Sequence, residues 1–228
     1  MRIAEIFCSR QGEGMLSGTP SVFVRASGCN LRCRFCDTPY TSWNPEGDDL
    51  SVVEILRQVA GADCRHVVVT GGEPMLFAEL IPLCEGLRQD GHHITIETAG
   101  TLVLPVECDL MSISPKLSNS TPSADRAPRW HSRHEASRHV PEVVRRLMRA
   151  YEYQLKFVVE ARSDCDEVEA YLCEFPEIDR RRVLLMPQGV EVAQLAERAQ
   201  WLAPLCAERG LTFCPRRHIE WYGNKRGT

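Results

Sequence analysis

Short runs of apolar, β-branched residues alternate with stretches of helical periodicity along nearly the whole chain. Strands are predicted at residues 21–26, 66–70, 93–98, 109–113, 154–159 and 182–186. Between them, residues 51–60 set Val52, Val53, Leu56 and Val59 at helical spacing behind Ser51, a suitable cap. Further helices are predicted at 76–89, stopped by Gly91, at 141–151, opened by Pro141, and at 164–175 and 192–209. Repetition of βα units predicts an α/β fold, a mostly parallel sheet with helices outside. About six strands are too few for a complete eight-stranded barrel. An incomplete (β/α) barrel of about six parallel strands is therefore preferred to a flat, doubly wound sheet. The chain reads as one domain, 1–228, with functional residues at the C-terminal ends of its strands.

Composition adds a class and a compartment. Of 228 residues 43% are hydrophobic and 25% charged, the balance of a globular chain. No run of about 18 apolar residues suggests a membrane span. Residues 1–13 carry Glu5 and Glu13 and no apolar leader core, so a cytoplasmic location with no membrane partner is expected.

The net charge of -4 is an average that conceals a segregation. Residues 116–149 hold eight basic against three acidic residues, a net +5 that includes a basic insert at about 118–140 with His131, His134 and His139. The tail, about 214–228, holds four basic residues and Glu220, a net +3, which leaves -12 for the rest. Concentrated basic charge suits an anionic ligand or partner, with a solvated loop an equal reading of the insert. The overall charge gives no reason to expect a nucleic acid.

Eleven cysteines, an odd number without a leader, point to a reducing compartment. Eight are scattered, and several, such as Cys84 and Cys173, sit among leucines where a thiol packs as a small hydrophobe. The other three form Cys29-x3-Cys33-x2-Cys36, directly after the first predicted strand. Structural zinc and ordinary iron–sulfur carriers use four protein ligands. Three cysteines would leave one iron of a cubane open to a chelating ligand. Some 35 residues later a strand runs into Thr70-Gly71-Gly72-Glu73-Pro74, where glycines let the backbone approach a ligand closely.

These two motifs, with Phe35 between the last two cysteines, resemble those of the radical S-adenosylmethionine enzymes. In that superfamily a 4Fe–4S cluster binds S-adenosylmethionine through its open iron and cleaves it reductively to a 5′-deoxyadenosyl radical. Further stretches resemble one family within it, 7-carboxy-7-deazaguanine synthase of queuosine precursor biosynthesis. They are Glu5 to Gly14 with Phe23-Val-Arg25, Cys36-Asp37-Thr38-Pro-Tyr40, Ile96-Glu97-Thr98-Ala-Gly100 with Ser114-Pro115-Lys116, and His218 with Trp221 to Gly227. Together they span residues 5–227.

The resemblance implies conversion of 6-carboxy-5,6,7,8-tetrahydropterin to 7-carboxy-7-deazaguanine with loss of ammonia, in which S-adenosylmethionine is regenerated. No catalytic side chain is expected beyond cofactor and substrate ligands. Cys29, Cys33 and Cys36 would hold the cluster and Thr38 a Mg2+ ion. Phe35, Cys36, Asp37, Gly72, Glu97, Ser114, Pro115, Lys116, Met186, Pro187, Gln188 and Gly189 would contact S-adenosylmethionine, with Gln154 and Lys156 as weaker candidates. Arg10, Gln11, Gly12, Glu13, Arg25, Thr70, His218, Lys225 and Arg226 would contact the pterin. Gln11, Gly12 and Glu13 offer an amide, a backbone and a carboxylate to its amide edge, and Arg25 a fork for its carboxylate. The basic tail would close over the substrate. A flavodoxin or ferredoxin as electron donor and a homodimer are also implied. Two features depart from the pattern: Ala99 stands where many relatives carry Asn, and the chain runs on past His218 to Thr228. Competing readings are a glycyl-radical-enzyme activating enzyme and a zinc-binding RNA-interaction module.

Overall fold

The predicted strands all form, and their order explains the curvature of the sheet. In the computed structural model, which describes residues 1–228, the N-terminal half runs β1 (Arg2–Arg10), β2 (Pro20–Ala26), α1 (Pro39–Ser42), β3 (Asp48–Asp49), α2 (Val52–Ala60), β4 (His66–Gly71), α3 (Leu80–Gln89) and β5 (His93–Thr98). It continues through β6 (Leu110–Ile113), α4 (Pro128–Ser137), α5 (Pro141–Ala150), β7 (Tyr153–Val159), α6 (Arg162–Cys173), β8 (Val183–Pro187), α7 (Val192–Arg209), β9 (Thr212–Phe213) and α8 (Arg217–Tyr222).

One sheet has the order β3-β1-β2-β4-β5-β6-β7-β8-β9, antiparallel at β1 and parallel from β2 onward. A doubly wound sheet reverses its strand order at a switch point. Here the order never reverses, so right-handed crossovers stack the helices on one face and the other face curls inward. Short strands β3 and β9 end the sheet, which stays open. This is the incomplete barrel. No helix is long and apolar enough to cross a membrane.

Strand alternation separates the two faces. Val22, Val24, Val67, Val69, Ile94, Ile96, Leu155 and Phe157 join the main core of 37 buried apolar residues, under the helices. Their alternate neighbours Phe23, Arg25, Thr70, Glu97, Ser112, Lys156, Val158 and Met186 line the concave side. On α2 the predicted cap is present: Ser51 Oγ accepts from the Glu54 amide at 3.3 Å, and Glu54 accepts from the Ser51 amide at 2.8 Å.

Four features differ from expectation. β1 was not predicted because Ile3, Ile6, Phe7 and Cys8 do not alternate cleanly, and a register shift lies between Ile3 and Glu5. Helix α3 starts at Leu80, not 76, because the Glu73 carboxylate caps a separate 3-10 turn at Pro74–Leu76. The basic insert is not a solvated loop, since it contains α4 with His134 buried beneath it. The tail carries its own short helix, α8.

Candidate active site

A cavity of about 460 Å³ opens at the C-terminal ends of the parallel strands, within the size range of small-molecule sites. Of the predicted site residues, all but Pro115, Gln154, Pro187 and Gly189 line it. Three of these contact the chain itself, Gln154 by donating to Ser112 Oγ at 2.7 Å. Pro187 ends β8, and the Gly189 carbonyl accepts from Arg216 at 2.6 Å.

At one end lies the cysteine loop. Its backbone is held on several sides: Gly28 N–H donates to Thr41 O at 2.8 Å, Trp43 Nε1 to Cys33 O at 3.0 Å, and Arg34 N–H to Ser120 O at 2.9 Å. Cys29 Sγ accepts from the Leu31 amide at 3.4 Å and Cys36 Sγ from the Ser42 hydroxyl at 3.2 Å. Burial pushes the Cys29 thiol up to about 12 and the Cys33 thiol up to about 11. Lys116 offsets burial only in part at Cys33, so a bound metal centre would have to supply the remaining compensating charge. No group of three His, Cys, Asp or Glu side chains converges tightly enough for a single metal ion. Three soft donors on a cavity wall, two of them accepting from the Leu31 amide and the Ser42 hydroxyl, with no fourth protein ligand, fit an iron–sulfur cubane better than zinc.

The Gly-Gly turn fixes where this loop meets β4. A Cβ on Gly72 would lie 2.0 Å from Gly28 O and 2.7 Å from Thr41 O, so only glycine lets the strand end touch the loop. The adjacent Glu73 is fully buried and faces the protein: its carboxylate accepts from the Met75 amide, the Thr98 hydroxyl and the Ala99 amide at 2.8–3.1 Å. Burial raises its pKa. It ties β4 to β5 and is a structural acid.

The middle of the cavity is a charged network. Burial opposes ionisation of Glu13, but Lys156 Nζ at 2.5 Å and Arg216 Nε at 3.2 Å hold its carboxyl well below the usual range. Arg216 also pairs with Asp37, whose pKa is lowered against its own burial. Lys156 is raised despite burial, chiefly by Glu13 and then by Glu97 at 3.7 Å. Glu97 accepts from Thr70 Oγ1 at 2.7 Å and Gln11 Nε2 at 3.3 Å, so it is engaged with the residues predicted on the pterin side. His218 Nδ1 lies 3.8 Å from Glu13, and burial lowers its pKa. Gly12 packs so closely that a Cβ there would meet His218 Nδ1 at 2.5 Å.

On the opposite wall Arg25 Nε donates to Glu5 at 2.7 Å, which leaves its two terminal nitrogens without a protein acceptor. Tyr40 donates to the same carboxylate at 2.7 Å, and burial pushes its phenol pKa upward. Arg226 stacks over Tyr40 with 4.2 Å to the ring centroid and pairs with Glu46 at 2.9 Å, so the tail straps across the mouth. Thr38 Oγ1 faces the cavity beside Thr41 Oγ1 at 3.3 Å, and Lys116 Nζ donates to Ser114 Oγ at 2.7 Å.

Arg216 was not among the predicted site residues. Its signal is weak, one arginine in a Cys-Pro-Arg-Arg-His run. Gln154, Ser112 and Lys156 had a clearer one, polar residues at every second position of buried strands.

The insert reaches the site from outside. His134 on α4 is buried, its Nδ1 accepting from Arg32 N–H at 3.2 Å and its Nε2 meeting Ser120 Oγ at 2.8 Å. Arg32, between two cluster-loop cysteines, lays its guanidinium over Trp130 at 4.1 Å.

Comparison with known proteins agrees with this architecture. The Radical SAM superfamily pattern matches residues 23–154. A 7-carboxy-7-deazaguanine synthase of Rhodopirellula baltica is 47% identical over 99% of this chain and 88% of its own length. One of Halobacterium salinarum is 44% identical over 95% and 88%. The crystal structure of QueE from Escherichia coli shares the fold, with a TM-score of 0.74 and 24% identity over 95% of this chain and 94% of that one. The chain belongs to the 7-carboxy-7-deazaguanine synthase family of the radical S-adenosylmethionine superfamily.

Proposed function

We propose that this chain converts 6-carboxy-5,6,7,8-tetrahydropterin to 7-carboxy-7-deazaguanine with loss of ammonia, as a step of queuosine precursor biosynthesis. The observation that carries the reading is a single cavity with three cysteine thiols at one end, the Glu13–Lys156–Arg216 network in its middle and Arg25 on the opposite wall. When bound, the 4Fe–4S cluster supplies the electron that cleaves S-adenosylmethionine.

The chain's own residues bind and orient. Cys29, Cys33 and Cys36 hold the cluster. Phe35, Gly72, Ser114, Lys116, Met186 and Gln188, all lining the cavity, would receive S-adenosylmethionine. Glu13 stays ionised because two buried cations face it, so it accepts from the pterin amide edge alongside Gln11. The free terminal nitrogens of Arg25 take the substrate carboxylate in bidentate fashion. His218, held neutral by burial, packs on the ring. Thr38 would offer Mg2+ one hard oxygen ligand. Lys225 and Arg226 close the mouth. A homodimer in the cytoplasm, reduced by a flavodoxin or ferredoxin, completes the reading.

Anaerobic reconstitution with iron and sulfide, followed by dithionite, S-adenosylmethionine, Mg2+ and carboxytetrahydropterin, tests it. Mass spectrometry should find 7-carboxy-7-deazaguanine, and Cys33→Ala should hold no cluster and make none. Cleavage of S-adenosylmethionine without any deazaguanine would favour an activase. One bound zinc and no cleavage would overturn the radical reading.

A further inference from the structure

The proposed hydrogen abstraction brings a carbon of one ligand to a carbon of another, so the two sides of the cavity must be held in register. We propose that Arg216 is the positioning residue that sets this register, by holding the cofactor side and the pterin side on one guanidinium. The inference rests on the pterin reading above.

Arg216 is only 6% exposed, and each of its three nitrogens serves a different segment. Nε donates to Glu13 in the β1–β2 loop at 3.2 Å, Nη1 to Gly189 O in the β8–α7 turn at 2.6 Å, and Nη2 to Asp37 of the cysteine loop. Asp37 and Gly189 belong to the residues expected around S-adenosylmethionine, and Asp37 stands directly between Cys36 and Thr38. Glu13 belongs to those expected around the pterin. No other side chain hydrogen-bonds both carboxylates. The chain is pinned at the next residue as well, where Arg217 N–H donates to Gly12 O at 3.0 Å.

Charge makes the link directional. Glu13 takes Arg216 on one carboxylate oxygen and Lys156 on the other, so two buried cations aim its remaining lone pairs. Asp37 makes no ion pair except with Arg216. A planar guanidinium meets three acceptors at once, whereas a lysine ammonium is a point charge that cannot span them. A ligand that fixes Glu13 therefore fixes the group that presents Asp37 to the other ligand, and by linkage the effect is reciprocal. Reacting atoms misplaced by about 1 Å lose on the order of 100-fold in rate, so a loosened fork harms transfer between the ligands most.

The test uses reconstituted R216K, with the exposed neighbour Arg217 changed in R217K as control. Iron content and the unfolding midpoint give the folded, cluster-bearing fraction to which each reading is normalised. Oxidised holoenzyme does not cleave S-adenosylmethionine, so calorimetry gives its affinity with and without 6-carboxytetrahydropterin. The pterin should tighten that affinity at least about five-fold in the parent and less than about two-fold in R216K. During turnover the 5′-deoxyadenosine lost per deazaguanine made should rise at least about ten-fold in R216K, with R217K matching the parent. A merely structural arginine would lower the active fraction and leave that ratio unmoved. If R216K holds no cluster, Asp37→Ala removes the same link from its other end and should give the same two results. An unchanged ratio, equal tightening in parent and variant, or an R217K that behaves like R216K would overturn the proposal. A parent that makes no deazaguanine at all would instead overturn the pterin reading, and this proposal with it.

Discussion

His134 makes a pH-dependent prediction whose size follows from its surroundings. Its Nδ1 accepts from the Arg32 amide, so the ring proton sits on Nε2 and points at Ser120 Oγ, which donates onward to Leu117 O at 2.6 Å. Every polar atom is satisfied by the neutral ring alone, and a second proton would face the Arg32 N–H. Burial lowers the pKa to about 4, with Glu135 opposing and Arg138, Lys116 and His131 adding to the effect. In the unfolded chain the ring titrates near 6.5. Above that value it is neutral in both states and stability is unaffected. As pH falls from 6.5 toward 4, the unfolded chain takes up a proton that the folded chain refuses, and the fold is destabilised. The loss is about 2 kcal/mol at pH 5 and about 3 kcal/mol near pH 4.

His134→Asn isolates this effect, because its amide can still accept from Arg32 but does not titrate. Urea unfolding of the metal-free chain at pH 7 and pH 5 gives the drop in stability for each protein. The parent's drop should exceed the variant's by about 2 kcal/mol, other groups cancelling. Equal drops would show that His134 is not held neutral, and the clamp on the cysteine loop would have to be redrawn.

Other perturbations probe the same cavity. Arg216→Leu leaves Asp37 without its cation and Glu13 with Lys156 alone, so denaturant unfolding should show a loss of about 3–5 kcal/mol. Arg216→Lys should recover part of it, and an undiminished Leu variant would contradict the network. Gly72→Ala drives a methyl into Gly28 O and Thr41 O, both backbone atoms that cannot step aside. It should strip most of the iron from reconstituted protein, and normal iron content would refute the close approach. Arg25→Ala should raise the pterin KM about thirty-fold or more while leaving S-adenosylmethionine affinity nearly unchanged. Equal losses for both would give the arginine another role.

The strands were legible because a sheet with one face under helices and the other lining a cavity keeps a strong period of two. Residues 66–70 and 154–159 differ from the observed strands by one residue at one end each. The cysteine spacing and the Gly-Gly turn were legible as local chemistry. Long-range electrostatics was not. Arg216 reaches Glu13 across 203 residues and Asp37 across 179, and no local pattern announces either contact. Helix α4 was missed for a related reason: its stability comes from Trp130 and His134 meeting the cysteine loop, not from an apolar stripe. Arg25 lines the cavity, but its partner Glu5 lies on β1, the strand whose pattern is blurred by a register shift.

The central claim is that one cavity couples reductive cleavage of S-adenosylmethionine to rearrangement of a carboxypterin. Its most direct test is turnover by the anaerobically reconstituted chain with limiting S-adenosylmethionine and excess 6-carboxytetrahydropterin deuterated at the carbon bearing the carboxylate. The account predicts 7-carboxy-7-deazaguanine in molar excess over the S-adenosylmethionine supplied, with deuterium passing into the recovered S-adenosylmethionine. Absence of deazaguanine, or of deuterium in that pool, would contradict it.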